Sequence, residues 1–147
     1  MFIEHLQMRG QLALELYGPD GRLKERRQLK NLITTTGKNW EAGYLGDSPG
    51  ANMGWIAVGT GTATAALGDT ALGTELSRVA AGRSVSGSVI TYAGTFGAGT
   101  ATGAITEYGL FNASGSAAGT IFSRVVDSVV NKGASDTLTV SWAQTKG

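Results

Sequence analysis

A chain of 147 residues, 41% of them hydrophobic, is long enough and apolar enough for one globular domain, and this composition excludes a disordered protein. The formal net charge of +1 gives the molecule as a whole no strong field for attracting nucleic acid or a membrane. The absence of cysteine excludes disulfides and cysteine nucleophiles, and no segment has the apolar length of a membrane span or a signal peptide.

The first elements along the chain predict an N-terminal arm and a hairpin. Leucine alternates with other residues over residues 12–16, which is the period-2 pattern of a β-strand. A Pro-Asp-Gly turn at residues 19–21 precedes a second strand predicted over residues 23–33. We therefore expect residues 1–30 to form an arm and a basic β-hairpin, and residues 31–147 to form a β-sandwich body.

One short helix is predicted next, over residues 37–45. Trp40 and Tyr44 are four residues apart and share one face of a helix. The side chain of Thr36 could cap the N-terminus of this helix, and Gly46 would end it. This is the only helix that the sequence predicts.

The remainder predicts strands joined by glycine-rich turns. The candidate strands lie at residues 53–58, 75–79, 84–96, 105–111, 120–130 and 137–143. Their spacing of roughly ten to fifteen residues, with no long helical segment between them, is typical of a sandwich rather than a parallel sheet. We therefore expect a mainly β fold, an antiparallel β-sandwich with one short helix and the N-terminal arm and hairpin.

The tripeptide Gly59-Thr60-Gly61 invites comparison with a dinucleotide-binding loop. That motif needs a third small residue at the position that Thr64 holds, and it needs a helix that opens at the loop. Gly68 and Gly73 would break such a helix. We therefore interpret the tripeptide as a turn between strands, and we expect no cofactor.

Candidate catalytic residues are few. His5 is the only histidine and lies near the terminus, which disfavours both a Ser-His-Asp site and a His/Cys metal site. Two carboxylates could still form a glycan-hydrolase site. The candidates are Asp69, Glu75, Glu107, Asp127 and Asp136. Because Glu107 lies in an apolar strand, we expect it to form an ion pair with Arg78 or Arg124. We predict no catalytic or metal-binding residues, and therefore no enzyme.

Candidate partner-binding residues lie in the first thirty positions. Five cations form what we call the basic ribbon: Arg22, Lys24, Arg26, Arg27 and Lys30. The ribbon lacks aromatic residues for base stacking, so we expect a solvated strand face or a contact with an acidic protein surface. The arm adds the apolar residues Phe2, Ile3, Leu6 and Met8, which precede the first predicted strand. We expect this arm to become ordered when it binds a partner, and the alternative is that it packs back on the body.

Several short motifs from residue 31 onward occur in a characteristic order. They are NLIT at 31–34, TGKN at 36–39, WIAVGTG at 55–61, GDTALGTEL at 68–76 with Arg78, AITEYGLFNA at 104–113 and VNKGA at 130–134. In this order the chain resembles a group of small structural proteins of tailed phages. It is also similar, more distantly, to the N-terminal attachment region of phage tail-collar and tail-fibre proteins.

The resemblance implies binding without catalysis. It predicts a capsid decoration, or cement, protein that binds the major capsid protein and further copies of itself, in a ring such as a trimer. Such a protein would reside in the virion after assembly in the host cytoplasm, without direct contact to nucleic acid or membrane. The alternative is a tail or collar attachment module that binds tail proteins, and the third hypothesis is a small glycan hydrolase.

Overall fold

A computed structural model describes residues 8–47 and 50–146, and these residues form a mainly β structure. The strands are β1 (Met8–Tyr17), β2 (Leu23–Lys30), β3 (Leu32–Ile33), β4 (Trp55–Gly59), β5 (Glu75–Ala80), β6 (Gly82–Ser86), β7 (Val89–Phe96), β8 (Gly103–Phe111), β9 (Ile121–Lys132) and β10 (Thr137–Lys146). The helix is α1 (Thr35–Leu45). The predicted fold class is therefore confirmed.

Two five-stranded antiparallel sheets make up the sandwich. The first sheet has the order β2-β1-β10-β7-β6, and the second has the order β3-β9-β8-β4-β5. The chain changes sheet four times, and two of these changes occur across a single residue: Asn31 joins β2 to β3, and Ala81 joins β5 to β6. Strands that bend from one sheet into the other close the corners of a sandwich.

Two predicted strands were wrong because each is in fact a pair of strands. Residues 23–33 bend at Asn31, so that their two halves pair in different sheets. Residues 84–96 contain a hairpin in which Gly87 has a φ of +58°, a conformation that glycine adopts without strain. Residues typical of strands lie on both sides of each bend, so each segment was interpreted as one strand.

The corner at Asn31 depends on a glycine in the neighbouring strand. The backbone N–H of Asn31 donates to the carbonyl of Gly10 at 3.2 Å. A Cβ atom at position 10 would lie 2.1 Å from the side-chain amide of Asn31. Gly10 therefore provides the space into which the corner residue turns.

The main core lies between the two sheets and includes the hairpin. Leu12, Leu14 and Leu16 of β1 are at most 2% exposed and belong to the same cluster as Phe96 and Trp142. β1 is an interior strand that pairs with both β2 and β10, so the predicted hairpin contributes to the core of the sandwich. The boundary proposed at residue 30 coincides with the first corner.

The outer face of the second sheet carries a smaller apolar cluster. Because side chains alternate along a strand, Ile56 and Leu110 point into the main core while Ala57 and Phe111 point to the opposite face. There the loop between β4 and β5 contributes Leu72 to the cluster. This loop lies over the sheet, and the candidate site described below fixes it in place.

The helix begins two residues earlier than predicted. Thr34 caps it by accepting a hydrogen bond from the N–H of Gly37 at 3.0 Å, so the prediction that Thr36 is the cap was wrong. Trp40 and Tyr44 do contact each other, with ring centroids 5.3 Å apart, and Gly46 follows the last helical residue as predicted. Within residues 8–47 and 50–146 no helix is long and apolar enough to cross a membrane.

Candidate functional site

Glu107 of β8 is the centre of the most densely bonded polar site in the described structure. Its side chain is fully buried. Its carboxylate accepts hydrogen bonds from the backbone N–H groups of Gly61 at 2.9 Å, Gly73 at 2.8 Å and Thr74 at 2.7 Å. Since these three donors lie at the two ends of the β4–β5 loop, one carboxylate ties both ends of that loop to the sheet.

Arg124 of β9 completes this arrangement, which we call the Glu107 anchor. Its guanidinium donates to Glu107 from Nη2 at 2.9 Å and from Nε at 3.2 Å. A third nitrogen, Nη1, binds Asp69 of the same loop at 2.8 Å. We predicted an ion pair between Glu107 and either Arg78 or Arg124, and the structure shows that the partner is Arg124.

The electrostatics of the anchor favour an ionised carboxylate. Burial acts to raise the pKa of Glu107, but the hydrogen bonds from Thr74, Gly73, Arg124 and Gly61 outweigh it, and the net pKa lies below the ordinary value. Burial also acts to raise the pKa of Asp69, and its bonds to Ala66 and Arg124 lower it overall. Both groups therefore act as acceptors at neutral pH.

The anchor explains the glycine tripeptide that resembles a nucleotide-binding loop. A Cβ atom would lie 2.5 Å from the Oε1 atom of Glu107 at position 59, and 2.6 Å from it at position 61. Both distances are too short for any non-glycine residue. Gly59 and Gly61 therefore let the backbone approach an internal carboxylate, in the way that glycines in other proteins let it approach a phosphate.

A second buried anchor is built around Arg78 of β5. Its guanidinium binds Glu75 at 2.6 Å and donates to the carbonyls of Ala113 at 2.7 Å and Ala118 at 2.9 Å. It also lies 3.8 Å from the ring centroid of Phe111, which is a cation–π distance. Arg78 thus fixes the loop between β8 and β9 against the outer face of the second sheet.

All five candidate carboxylates form ion pairs. The pairs are Asp69 and Glu107 with Arg124, Glu75 with Arg78, Asp127 with Arg27, and Asp136 with Lys24. Asp69 and Glu107 are brought to the same guanidinium, where each is an acceptor. Among the described residues no three histidine, aspartate or glutamate side chains could hold a metal ion. His5 lies outside these residues.

Most cations of the basic ribbon also have internal partners. Lys24 contacts the buried carboxylate of Asp136 at 2.8 Å, and Arg26 contacts Glu15 at 3.2 Å. Arg22 is highly exposed, with its side chain 88% accessible and 3.6 Å from Asp20. The ribbon is therefore partly neutralised by the protein's own carboxylates.

The side chain of Arg27 in the basic ribbon points inward and holds a bulge in β9. The β8–β9 register shifts between Ile105, which pairs with Val130, and Glu107, which pairs with Val126, so that residues 127–129 of β9 stand opposite a single residue of β8 and form a bulge. Arg27 donates to the carbonyls of Ser128 at 2.6 Å and Val129 at 2.9 Å, within this bulge. Its charge is balanced by Glu25 and Asp127.

Three cations form a cluster that the sequence did not reveal. Of the twelve lysines and arginines, all of which the structure describes, nine make a salt bridge or a side-chain hydrogen bond to a described residue. The remaining three are Arg9, Lys30 and Lys38, and all three line one open groove of about 910 Å³. We call it the corner groove, because it lies beside the corner at Asn31. Only Lys30 was a predicted site residue.

The predicted arm is only partly described. Phe2, Ile3 and Leu6 lie outside the described residues. Met8, which the sequence placed before the first strand, instead begins β1, pairs with Lys146 of β10 and packs against the core. The prediction for Met8 was therefore wrong, because β1 extends four residues further toward the N-terminus than its leucine alternation indicates.

No protein-family model, no curated protein and no solved structure matches this chain.

Proposed function

We propose that this protein is a non-enzymatic structural protein of a tailed-phage virion, which binds the outside of the capsid as a decoration protein and stabilises the head. The proposal starts from the ordered motifs that resemble small virion proteins. The observation that carries it is the Glu107 anchor, in which residues of three of those motifs meet: Gly61, Gly73 with Thr74, and Glu107. The residues that carry the resemblance thus hold the fold together at the Glu107 anchor.

The chemistry of the scaffold supports binding over catalysis. A carboxylate that accepts five hydrogen bonds from fixed donors has no free position for a proton or a substrate. The glycan-hydrolase hypothesis requires two carboxylates facing a substrate, whereas Asp69 and Glu107 face Arg124 between them. A rigid sandwich suits a protein that clamps capsid subunits through buried surface.

The alternative role is a tail or collar attachment module, which the distant similarity to tail-fibre attachment regions favours. Both roles share the fold and the binding of proteins. They differ in position on the particle, with the major capsid protein and further copies of this chain as partners on the head, and tail proteins as partners on the tail.

Locating the protein on intact particles tests the proposal. Gold-labelled protein would be mixed with phage particles that lack it, and its positions would be recorded by electron microscopy. We expect label distributed over the head surface. Label confined to the tail would replace the leading role with the alternative, and particles without label at either place would contradict a virion role.

A further inference from the structure

We infer, resting on the proposed function for the kind of partner, that the corner groove is a binding site for an extended acidic segment of a partner protein. The groove is lined by the start of β1, the corner between β2 and β3, one side of α1, Leu67 and the end of β10. Residues of both sheets and of the helix therefore line the groove. The acidic partner would bind in this groove, and not on the exposed face of the basic ribbon as the sequence predicted.

The positive charge of the groove comes from cations whose side chains have no partner among the described residues. Arg9, Lys30 and Lys38 make no salt bridge or side-chain hydrogen bond to any residue within 8–47 and 50–146, while the other nine cations do. The groove also contains Glu41, but that carboxylate is neutralised by Lys146. Three positive charges that have no ionic partner among the described residues favour a negatively charged occupant of the groove.

The backbone beside the groove has an open strand edge. Pairing of β1 with β2 begins at Gln11 and Lys30, because the chain leaves the first sheet at Asn31. On that side no strand of the described residues pairs with Met8 or Arg9, whereas on the other side both pair with β10. An extended peptide can bind such an edge through its own backbone.

The lining of the groove also offers polar and apolar contacts. Both side-chain amide atoms of Asn31 are buried and have no hydrogen-bond partner among the described residues, although buried amides are almost always bonded. Leu32, Ile33 and Leu67 supply apolar surface next to them. A segment that alternates acidic and apolar residues would use both kinds of contact.

The same observations favour a peptide over a nucleic acid. Single-stranded nucleic acids bind proteins by stacking bases on aromatic rings. Among the described residues that line the groove there is no aromatic side chain. The open strand edge and the aliphatic lining instead match the backbone and side chains of an extended polypeptide.

The experiment is a fluorescence-anisotropy titration of the full chain with a labelled heptapeptide of alternating glutamate and valine, at low and high salt. The test variant combines Arg9→Gln, Lys30→Gln and Lys38→Gln. A control variant combines Arg83→Gln, Ser86→Glu and Ser116→Glu, exposed positions outside the groove lining that lower the net charge by the same three units. Thermal unfolding of each variant confirms that it is folded.

We expect the test variant to bind the peptide about tenfold more weakly than the native chain, since it loses three exposed ionic contacts, and the control variant to change binding by less than about twofold. High salt should weaken binding of the native chain. Equal losses in both variants, or no binding of the peptide at low salt, would overturn the inference. So would a seven-nucleotide thymidine strand that binds as tightly as the peptide with the same dependence on the groove.

The titration needs no phage particle, so the two proposals can fail separately. Protein that labels the head but shows no groove-dependent peptide binding would overturn this inference alone. Protein that binds the peptide through the groove but labels no particle would overturn the virion role and leave the groove's chemistry in place.

Discussion

Glu107 shows how a single buried charge can organise distant parts of a chain. It is isolated from solvent, but it is surrounded by three backbone donors and a guanidinium that stabilise its ionised form. Breaking one partner of a buried ion pair is costly because the other charge remains buried. The side chains of the Glu107 anchor should therefore dominate the effect of single substitutions on stability.

Replacing Glu107 by glutamine tests this directly. The neutral amide leaves Arg124 with Asp69 alone and offers a single acceptor atom, so we expect the free energy of unfolding to fall by roughly 2–4 kcal/mol. Urea denaturation at pH 7 measures the change. The exposed substitution Asp20→Asn is the control and should alter stability by less than about 0.5 kcal/mol. A hydrolytic activity that Glu107→Gln abolishes would contradict the non-enzymatic proposal.

The pH dependence of stability follows from the same carboxylates. Since the pKa values of Glu107 and Asp69 are lowered in the folded state, their stabilising contribution is complete above their ordinary values of 4.5 and 3.8 and is lost as pH falls through the lower folded values. We expect the free energy of unfolding to decrease below about pH 4.5 and to depend less on pH in Glu107→Gln. Identical acid profiles for the two proteins would contradict the role assigned to Glu107.

The glycines of the anchor can be tested with a matched pair of substitutions. In Gly61→Ala the new methyl group would lie 2.6 Å from the Glu107 carboxylate, whereas at Gly68 in the same loop no atom lies within 4 Å. We expect Gly61→Ala to lower the free energy of unfolding by about 1–3 kcal/mol and Gly68→Ala to be neutral or slightly stabilising. Thermal unfolding of the two variants measures the difference, and equal stabilities would argue against close packing at position 61.

At the scale of elements, β9 depends on a clamp from the other sheet. Arg27 of β2 holds the β9 bulge through two carbonyls and Asp127. These bonds join β2, an edge strand of the first sheet, to a part of β9 that β3 does not pair with. The clamp thus substitutes for strand pairing at the open side of the sandwich, and it explains why a cation in a basic stretch has its side chain only 19% exposed.

Arg27→Gln should therefore loosen β9 locally. Glutamine is too short to reach both carbonyls, and we expect a loss of about 1–3 kcal/mol in the free energy of unfolding together with faster amide hydrogen exchange at residues 126–130. Arg26→Gln, which removes the neighbouring exposed cation, serves as the control. Equal exchange rates at residues 126–130 in the two variants would show that the bulge is stable without its clamp.

At the scale of the whole molecule, the two corners join the sheets into one folding unit. β1 lies in the interior of the first sheet, and its leucines occupy the main core. The Glu107 and Arg78 anchors fix loops over the outer face of the second sheet. The sandwich is therefore stabilised by one interior core and by two polar anchors outside it.

Truncation at the N-terminus tests where the folded unit begins. Deleting residues 1–10 removes Met8, Arg9 and Gly10 from β1 and with them the contact that supports the corner at Asn31. We expect this deletion to lower the free energy of unfolding by about 1–3 kcal/mol relative to a deletion of residues 1–7, which leaves β1 intact. Urea denaturation compares the two, and equal stabilities would mean that the start of β1 contributes nothing to the fold.

Much of the fold could be predicted from the sequence because local patterns encode local conformation. The alternation at Leu12, Leu14 and Leu16, the helical spacing of Trp40 and Tyr44, and the glycine-rich turns each require only neighbouring residues to be understood. They predicted most of the strands, the single helix and the sandwich class. They also predicted that Glu107 is buried and paired with a cation, because an unpaired carboxylate buried in an apolar strand would be costly.

Only the tertiary structure decided which distant groups meet. The choice of Arg124 over Arg78 for Glu107 depends on the order of strands in the second sheet, where β8 lies between β9 and β4. The bend at Asn31 depends on space above Gly10, which no local pattern reports. Arg9, Lys30 and Lys38 share a groove because strand pairing and helix packing bring them together. Sequence periodicity fixes the direction of a side chain within its element, whereas its partners are fixed by how the elements pack.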